Sequence, residues 1–165
     1  MIKFKLLFIP VLLIVLISAK TIDTKPDFRI RTITAGISLS SISDTTSILQ
    51  AIKFLNESKE EYQRLGYEVQ TTRISTQSLH KLISKLPDSE TIRNLKVIDQ
   101  IAIRENVSLS IGELINGDHY DSNLTDWVVQ LNNATTNISF SIPISSKSNG
   151  IHLSLIHISE PTRPY

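Results

Sequence analysis

The sequence contains no cysteine, and this absence excludes several kinds of chemistry. Disulfide bonds, thiolate metal sites and a cysteine nucleophile cannot form within the 165 residues. An excess of charge of one sign is also lacking, because 17 Lys and Arg residues balance 16 Asp and Glu residues. A chain with a formal net charge of +1 has no broad field to attract nucleic acid or an anionic membrane surface. We therefore predict no nucleic-acid partner.

The common catalytic and binding signatures are also missing. The sequence has no Gly-rich phosphate loop and no HExxH, GxSxG or EF-hand spacing. Residues 118–121, Asp-His-Tyr-Asp, contain suitable metal ligands, but four consecutive residues seldom converge on one ion. We interpret this segment as a solvated loop and predict no metal site. His80 and His152 are interpreted as surface or packing residues, and no motif specifies a cofactor.

The N-terminus has the form of a secretory signal peptide. Lys3 and Lys5 precede an apolar run, residues 6–17, which leads to the small residues Ser18 and Ala19. This run is shorter than the ~20 apolar residues that a membrane-spanning helix needs. We predict cleavage after Ala19, a linker over residues 20–27 and a secreted protein with no stable membrane span. The alternative is an uncleaved segment that anchors the chain.

The C-terminal residues resemble a translated sequencing adapter. Residues 153–163 read LSLIHISEPTR, which matches the translation of a transposase adapter used in sequencing libraries. We therefore predict that residues 153–165 derive from the adapter and that the natural reading frame is interrupted near His152. Residues 28–152 are then expected to be the N-terminal part of one domain.

Strand and helix patterns alternate along these residues. Period-two alternation with many β-branched residues predicts strands over residues 28–34, 67–73, 107–111 and 138–142. Helical spacing predicts helices over residues 44–65, 78–86, 91–104 and 124–131. Ser43 or Asp44 is the predicted N-terminal cap of the first helix. Tyr62 and Leu65 are placed on the core-facing side of this helix, and Gly66 ends it. This alternation predicts an α/β fold with parallel strands.

Polar residues and glycines lie at or just beyond the predicted strand ends. If the strands are parallel, their C-terminal ends form one rim, which is where such sheets tend to bind ligands. The predicted ligand-binding residues are Thr34, Gly36, Arg73, Gln77, Ser110 and Gly112. A guanidinium and hydroxyls can hold an anionic or carbonyl group of a small molecule. The alternative is that Arg73 pairs with a nearby carboxylate and that the glycines serve tight turns.

The sequence also contains several acceptor sequences for N-glycosylation. Asn56, Asn106, Asn123, Asn133 and Asn137 each begin an Asn-x-Ser/Thr triplet without proline. In an exported eukaryotic protein these positions can carry glycans. Asn56 and Asn123 are the stronger candidates, because a glycan at Asn137 would compete with the packing of the adjoining strand.

Two segments resemble a known family. Residues 29–40, RIRTITAGISLS, and residues 66–77, GYEVQTTRISTQ, are similar to the domain of unknown function 711 family, also labelled the PFL family. This resemblance implies an α/β barrel-like fold similar to that of pyruvate formate-lyase, of which the chain would hold an incomplete barrel-like sheet. The family has no established activity. We do not expect glycyl radical chemistry of this chain, because that chemistry uses a cysteine and the sequence contains none.

Two functions of different classes remain open. One is an enzyme with a pocket at the C-terminal strand ends, as expected of parallel α/β architectures. The other is a secreted binding or structural protein without catalysis, which the missing catalytic signatures favour.

Overall fold

A computed structural model describes residues 27–83, 88–115 and 122–153. Four parallel strands form a sheet in the order β1 (Ile30–Gly36), β2 (Val69–Ser75), β3 (Ser108–Glu113) and β4 (Ile138–Ser141). The connecting helices are α1 (Thr45–Arg64), α2 (Ser89–Arg104) and α3 (Ser122–Ala134). A short antiparallel hairpin follows, with strands β5 (Ser145–Ser146) and β6 (Gly150–Ile151). The predicted α/β class and incomplete barrel-like sheet are confirmed.

Local capping explains where helix α1 begins and ends. The Asp44 side chain accepts a hydrogen bond from the Ser47 backbone N–H at 3.0 Å, which satisfies an otherwise unpaired donor of the first turn. At the other end, Gly66 adopts a φ of +89°, and the backbone N–H of Tyr67 donates to the Tyr62 carbonyl at 3.0 Å. This is a left-handed helix stop, which glycine adopts without steric cost.

The last turn of α1 extends beyond the core. Tyr62 is 41% exposed and Leu65 is 54% exposed, so the prediction that both face the core is wrong. The residues that α1 buries are Ile48, Ala51, Ile52 and Leu55. Tyr62 instead meets the ring of Tyr67 edge to face, with centroids 6.1 Å apart. Helical periodicity identifies the apolar face of a helix, but not how far the sheet beneath it extends.

Strand positions differ slightly from those predicted. Strands β1 and β2 begin and end two residues later than the alternation indicated, and Gly36 pairs with Ser75 at the end of their ladder. Ladder hydrogen bonds use only the backbone, so a glycine at the strand end does not prevent pairing. The helix predicted over residues 78–86 is a short 3₁₀ turn, Leu79–Lys81, in the part that the structure describes.

The helices and one face of the sheet form a single apolar core. Buried side chains from β1, β2 and β3, among them Ala35, Ile74, Leu109 and Ile111, join those of all three helices in one cluster. Consecutive strands are neighbours and the helices cover one face, so the crossovers share one hand, as βαβ units normally do.

The opposite face of the sheet is lined with hydroxyls. Side chains alternate between faces along a strand, and on this face most residues are serine or threonine. We call the following set the polar face: Thr32, Thr34, Gly36, Thr71, Arg73, Ser75, Ser108, Ser110, Ser139 and Ser141. All of them are exposed or half-buried. Parallel sheets are usually apolar on both faces, which makes this one a candidate binding surface.

Candidate functional site on the polar face

The register of the strands brings four of the six predicted ligand-binding residues onto one surface. Thr34 lies beside Arg73, and Gly36 lies beside Ser75. Ser75 in turn lies beside Ser110 on the next strand. Residues paired across a parallel ladder point to the same face, with strands roughly 4.8 Å apart. Thr34, Gly36, Arg73 and Ser110 therefore belong to one continuous polar patch near the C-terminal strand ends.

Arg73 occupies the middle of this patch. It pairs in register with Thr34 on β1 and with Ser108 on β3, and its side chain is exposed. Across the described ranges, the ion pairs join other residues, and no carboxylate lies within pairing distance of its guanidinium. The guanidinium thus offers its planar set of donors at a surface otherwise made of hydroxyls.

Neighbouring hydroxyls on the patch are partly engaged with each other. The Oγ1 atoms of Thr32 and Thr71 are 2.8 Å apart, and the Thr71 hydroxyl also lies 2.9 Å from the Arg31 carbonyl, to which it can donate. The Ser139 hydroxyl donates to the Leu109 carbonyl at 3.3 Å. These bonds keep small polar side chains close to the sheet, which leaves the longer Arg73 side chain accessible above them.

The side-chain amide of Gln77, the fifth predicted ligand-binding residue, binds the backbone of another loop. Its Oε1 accepts a hydrogen bond from the Leu39 backbone N–H at 2.9 Å, and its Nε2 donates to the Leu39 carbonyl at 2.7 Å. The amide therefore pairs with the backbone of the loop after β1 as a neighbouring strand would. Gln77 joins the loops that follow β1 and β2, and so shapes the edge of the patch.

The two predicted glycines differ in what surrounds them. A Cβ atom added at Gly36 would meet no heavy atom within 4 Å, so the surface there is open. Gly112 has a φ of +64°, and a Cβ atom there would lie 3.0 Å from the Ser78 Cα atom. Gly112 is therefore needed for the close approach of the loop after β2 to strand β3, whereas Gly36 leaves room for a ligand.

Asp44 fixes the loop between β1 and α1 beside this edge. One of its carboxylate oxygens accepts hydrogen bonds from the backbone N–H and hydroxyl of Ser40 at 3.0 and 2.8 Å. The carboxylate also accepts from the backbone N–H and hydroxyl of Ser47 at 3.0 and 2.9 Å. These bonds, the Ser40 N–H foremost, hold the pKa of the Asp44 carboxyl well below its usual range. The carboxylate is thus charged and fully occupied, and it serves the loop and not a ligand.

The described residues contain neither a metal-binding cluster nor a membrane-spanning helix. Among the described residues, no group of three or more His, Asp or Glu side chains is arranged to hold a metal ion. Residues 118–121, interpreted as a solvated loop, lie outside the described residues. No helix in the described ranges is both long and apolar enough to cross a membrane.

The structure also reveals a histidine environment that the sequence analysis missed. His152 is 1% exposed, and its ring nitrogens lie 2.9 Å from the Pro143 carbonyl and 3.1 Å from the Ser146 hydroxyl. It was expected to be a surface or packing residue, and its pairing with a serine was not predicted. The dipeptide Asn149-Gly150, a turn signal, could have predicted the hairpin that joins the two residues.

The fold and the site together define a parallel α/β protein with one apolar and one polar sheet face. The chain has a parallel α/β sheet with sequential strand order, helices on one face and a hydroxyl-lined opposite face centred on an arginine.

The family follows from comparison with known proteins. The family described as uncharacterised ACR (DUF711) matches residues 22–160, so the chain belongs to this family. The match extends past His152 into the segment that resembles the adapter. A search of the curated proteins finds none that matches the chain.

Proposed function

We propose that the polar face binds a small molecule through an anionic or carbonyl group, with Arg73 as its principal ligand. One observation carries this proposal: Arg73 is exposed, pairs in register with Thr34 and Ser108, and has no carboxylate partner in the described ranges. A guanidinium forms two parallel hydrogen bonds with a carboxylate or phosphate, and the flanking hydroxyls add further donors.

The side chains of the polar face favour binding over proton transfer. Hydroxyls and a guanidinium donate hydrogen bonds, but they do not exchange protons readily near neutral pH. The polar face is therefore proposed as the binding part of either an enzyme of still undefined reaction or a non-catalytic secreted binding protein. The enzyme hypothesis requires a group with catalytic acid, base or nucleophile chemistry near the same sheet edge, and the binding hypothesis does not.

Substitution of Arg73 tests the binding proposal. Inorganic phosphate and acetate serve as anionic probes, acetamide as a carbonyl probe, and binding is measured by NMR titration. We expect Arg73→Ala to weaken phosphate and acetate by roughly 1.5–3 kcal/mol, the usual value for a hydrogen bond to a charged group, or about 10-fold to 150-fold. Acetamide should lose less, because it is uncharged and its single carbonyl oxygen cannot form the bidentate ion pair of a carboxylate or phosphate.

A matched control separates a specific contact from a general effect of charge. Arg31 lies on the neighbouring strand at a position that alternates to the other side of the sheet, and it is also exposed. Arg31→Ala removes the same charge and should leave anion binding unchanged. Equal losses in both variants, or no loss in Arg73→Ala with the fold intact, would refute the site.

We propose further that the protein is exported and loses residues 1–19. The basic start, the short apolar run and the small residues at 18 and 19 support this proposal. N-terminal sequencing of material secreted by an expressing cell should begin at Lys20. Material that keeps Met1 and sediments with membranes would show the anchored alternative instead.

We propose that glycans, if the host adds them, are attached at exposed acceptor positions. Asn56 is exposed on α1, whereas Asn137 is half-buried and its amide nitrogen lies 3.5 Å from the Val107 carbonyl. Asn137→Gln should therefore leave the glycosidase-sensitive mobility shift unchanged, and Asn56→Gln should reduce it. The reverse pattern on a denaturing gel would contradict this assignment.

We also propose that the sheet is the first part of a barrel similar to that of pyruvate formate-lyase. Sequential order of parallel strands, with helices on one face, is the arrangement from which α/β barrels are built. In such a barrel the polar face would line the interior. Solution scattering of the complete natural protein should then give the radius of a closed domain, and an extended profile would argue against it.

A further inference from the structure

The β5–β6 hairpin lies just beyond the C-terminal end of β4. Ser146 pairs with Gly150 across the hairpin, and the backbone N–H of His152 donates to the Ile144 carbonyl at 2.8 Å. The hairpin therefore folds back on the segment that leaves β4. Groups at this edge of a parallel sheet are well placed for chemistry, since catalytic residues of such folds come from the ends of strands.

The surroundings of His152 determine which ring nitrogen carries the proton. Nδ1 lies 2.9 Å from the Pro143 carbonyl oxygen, which can only accept a hydrogen bond. Nδ1 must therefore carry a hydrogen, and in the neutral ring Nε2 presents a lone pair. Nε2 lies 3.1 Å from the Ser146 Oγ atom, so the Ser146 hydroxyl donates to it.

The Ser146 oxygen keeps one lone pair available. Its hydrogen points to His152, and one of its two lone pairs accepts the Asn149 backbone N–H at 3.1 Å. Ser146 is half-buried, whereas the His152 side chain is buried. A half-buried serine hydroxyl that donates to a buried imidazole, itself held in one tautomer by a third group, resembles the arrangement of activated serine nucleophiles.

We propose that Ser146 and His152 form a nucleophile and general-base pair that reacts with carboxylic esters. Ser146 Oγ attacks the ester carbonyl carbon while its proton passes to His152 Nε2. The tetrahedral adduct collapses, the carbon–oxygen bond to the alcohol breaks, and the alcohol leaves with the proton from Nε2. Water, deprotonated by the same nitrogen, then releases the carboxylic acid and restores the Ser146 hydroxyl. The pair uses no residue of the polar face and is a site independent of Arg73.

Covalent labelling of the whole chain tests the pair directly. A fluorophosphonate probe forms a phosphorus–oxygen bond to an activated serine and releases fluoride, and the modified peptide is identified by mass spectrometry. We expect labelling at Ser146 and a burst of p-nitrophenol from p-nitrophenyl acetate. His152→Gln should slow labelling by about 100-fold or more, the usual contribution of a general base. Ser145→Ala, which removes the neighbouring exposed hydroxyl, should leave labelling unchanged.

An unlabelled Ser146 in the folded protein, or labelling at the same rate in His152→Gln, would overturn the proposal and leave the imidazole as a structural link within the hairpin. Because His152 is buried, its variant needs a check of folding by circular dichroism. If that variant does not fold, the reactivity of cysteine variants at positions 145 and 146 tests the pair instead.

The absence of cysteine makes a second test clean, because each serine-to-cysteine change introduces the sole thiol. A thiol beside an imidazole forms thiolate more readily and is alkylated faster at neutral pH. We expect Ser146→Cys to react with iodoacetamide at least about 10-fold faster than Ser145→Cys. Equal rates in the two folded variants would refute activation of position 146 by His152.

Discussion

Substitution of Asp99 should destabilise the protein more than any exposed carboxylate would. Asp99 lies on α2, is 2% exposed, and accepts hydrogen bonds from the backbone N–H groups of Thr136 at 3.0 Å and Asn137 at 2.8 Å. These two bonds attach the start of β4 to the helix layer. Asp99→Ala leaves both donors without this partner, and each bond to a charged acceptor contributes about 1.5–3 kcal/mol. Water can replace the carboxylate at the more exposed Thr136, so we expect a loss of roughly 2–4 kcal/mol.

The assay is urea unfolding followed by circular dichroism, with the free energy obtained by linear extrapolation. Asp99→Asn should lower the free energy of unfolding by about half as much as Asp99→Ala. The oxygen of the asparagine amide still accepts one hydrogen bond, whereas its NH₂ group faces the second backbone N–H donor. Asp126→Ala is the matched control, since Asp126 is an exposed carboxylate on α3, and its change should stay within about 0.5 kcal/mol. A loss below about 1 kcal/mol in Asp99→Ala would show that the two N–H groups find other partners and would refute the reasoning.

Two further predictions concern the edge of the polar face. Gly112→Ala should lower the free energy of unfolding in urea by roughly 1–3 kcal/mol, because an alanine at φ +64° is strained and its Cβ atom would also press on the Ser78 backbone. Gly36→Ala has open space around it and should change the free energy of unfolding by less than about 1 kcal/mol. Equal effects of the two substitutions would contradict this account of the glycines. Asp44 has a lowered pKa in the folded state, so its contribution to stability is complete above the unfolded pKa of about 3.9 and is lost as the pH falls toward the folded value. The advantage of the wild type over Asp44→Asn in thermal unfolding should therefore be constant from pH 7 to pH 5 and shrink below pH 4, and a constant difference down to pH 2.5 would refute it.

The two ends of helix α1 were correctly predicted from the sequence. Ser43 or Asp44 was predicted to cap helix α1 and Gly66 to end it, and the structure has Asp44 and Gly66 in these roles. Helix α2 ends by a similar device that was not predicted, because its left-handed residue is Asn106, with a φ of +54°. Asparagine tolerates this conformation better than most residues, but it is also common in loops, so the sequence alone marks it less clearly than a glycine.

The candidate site was predicted only in part. The residues of the rim were chosen on the condition that the strands are parallel, and the register places Thr34 and Arg73 side by side. Gln77 belongs to the same edge, but both polar atoms of its amide bind the backbone of Leu39, 38 positions away in the sequence. No pattern in the sequence predicts such a partner, because it depends on how two loops meet after the strands have paired.

By itself, the sequence determined the features that depend on neighbouring residues. Alternation of side chains, helical spacing and cap chemistry act over one or two turns of chain, and they were sufficient to predict an α/β fold with parallel strands. The tertiary structure alone decided which side chains share a surface. The exposed hydroxyls around Arg73, the link from Asp99 to Asn137 and the pairing of Ser146 with His152 all join separate segments. Such contacts are set by strand register and by the packing of helices and loops, which fix the distances between atoms only once the chain has folded.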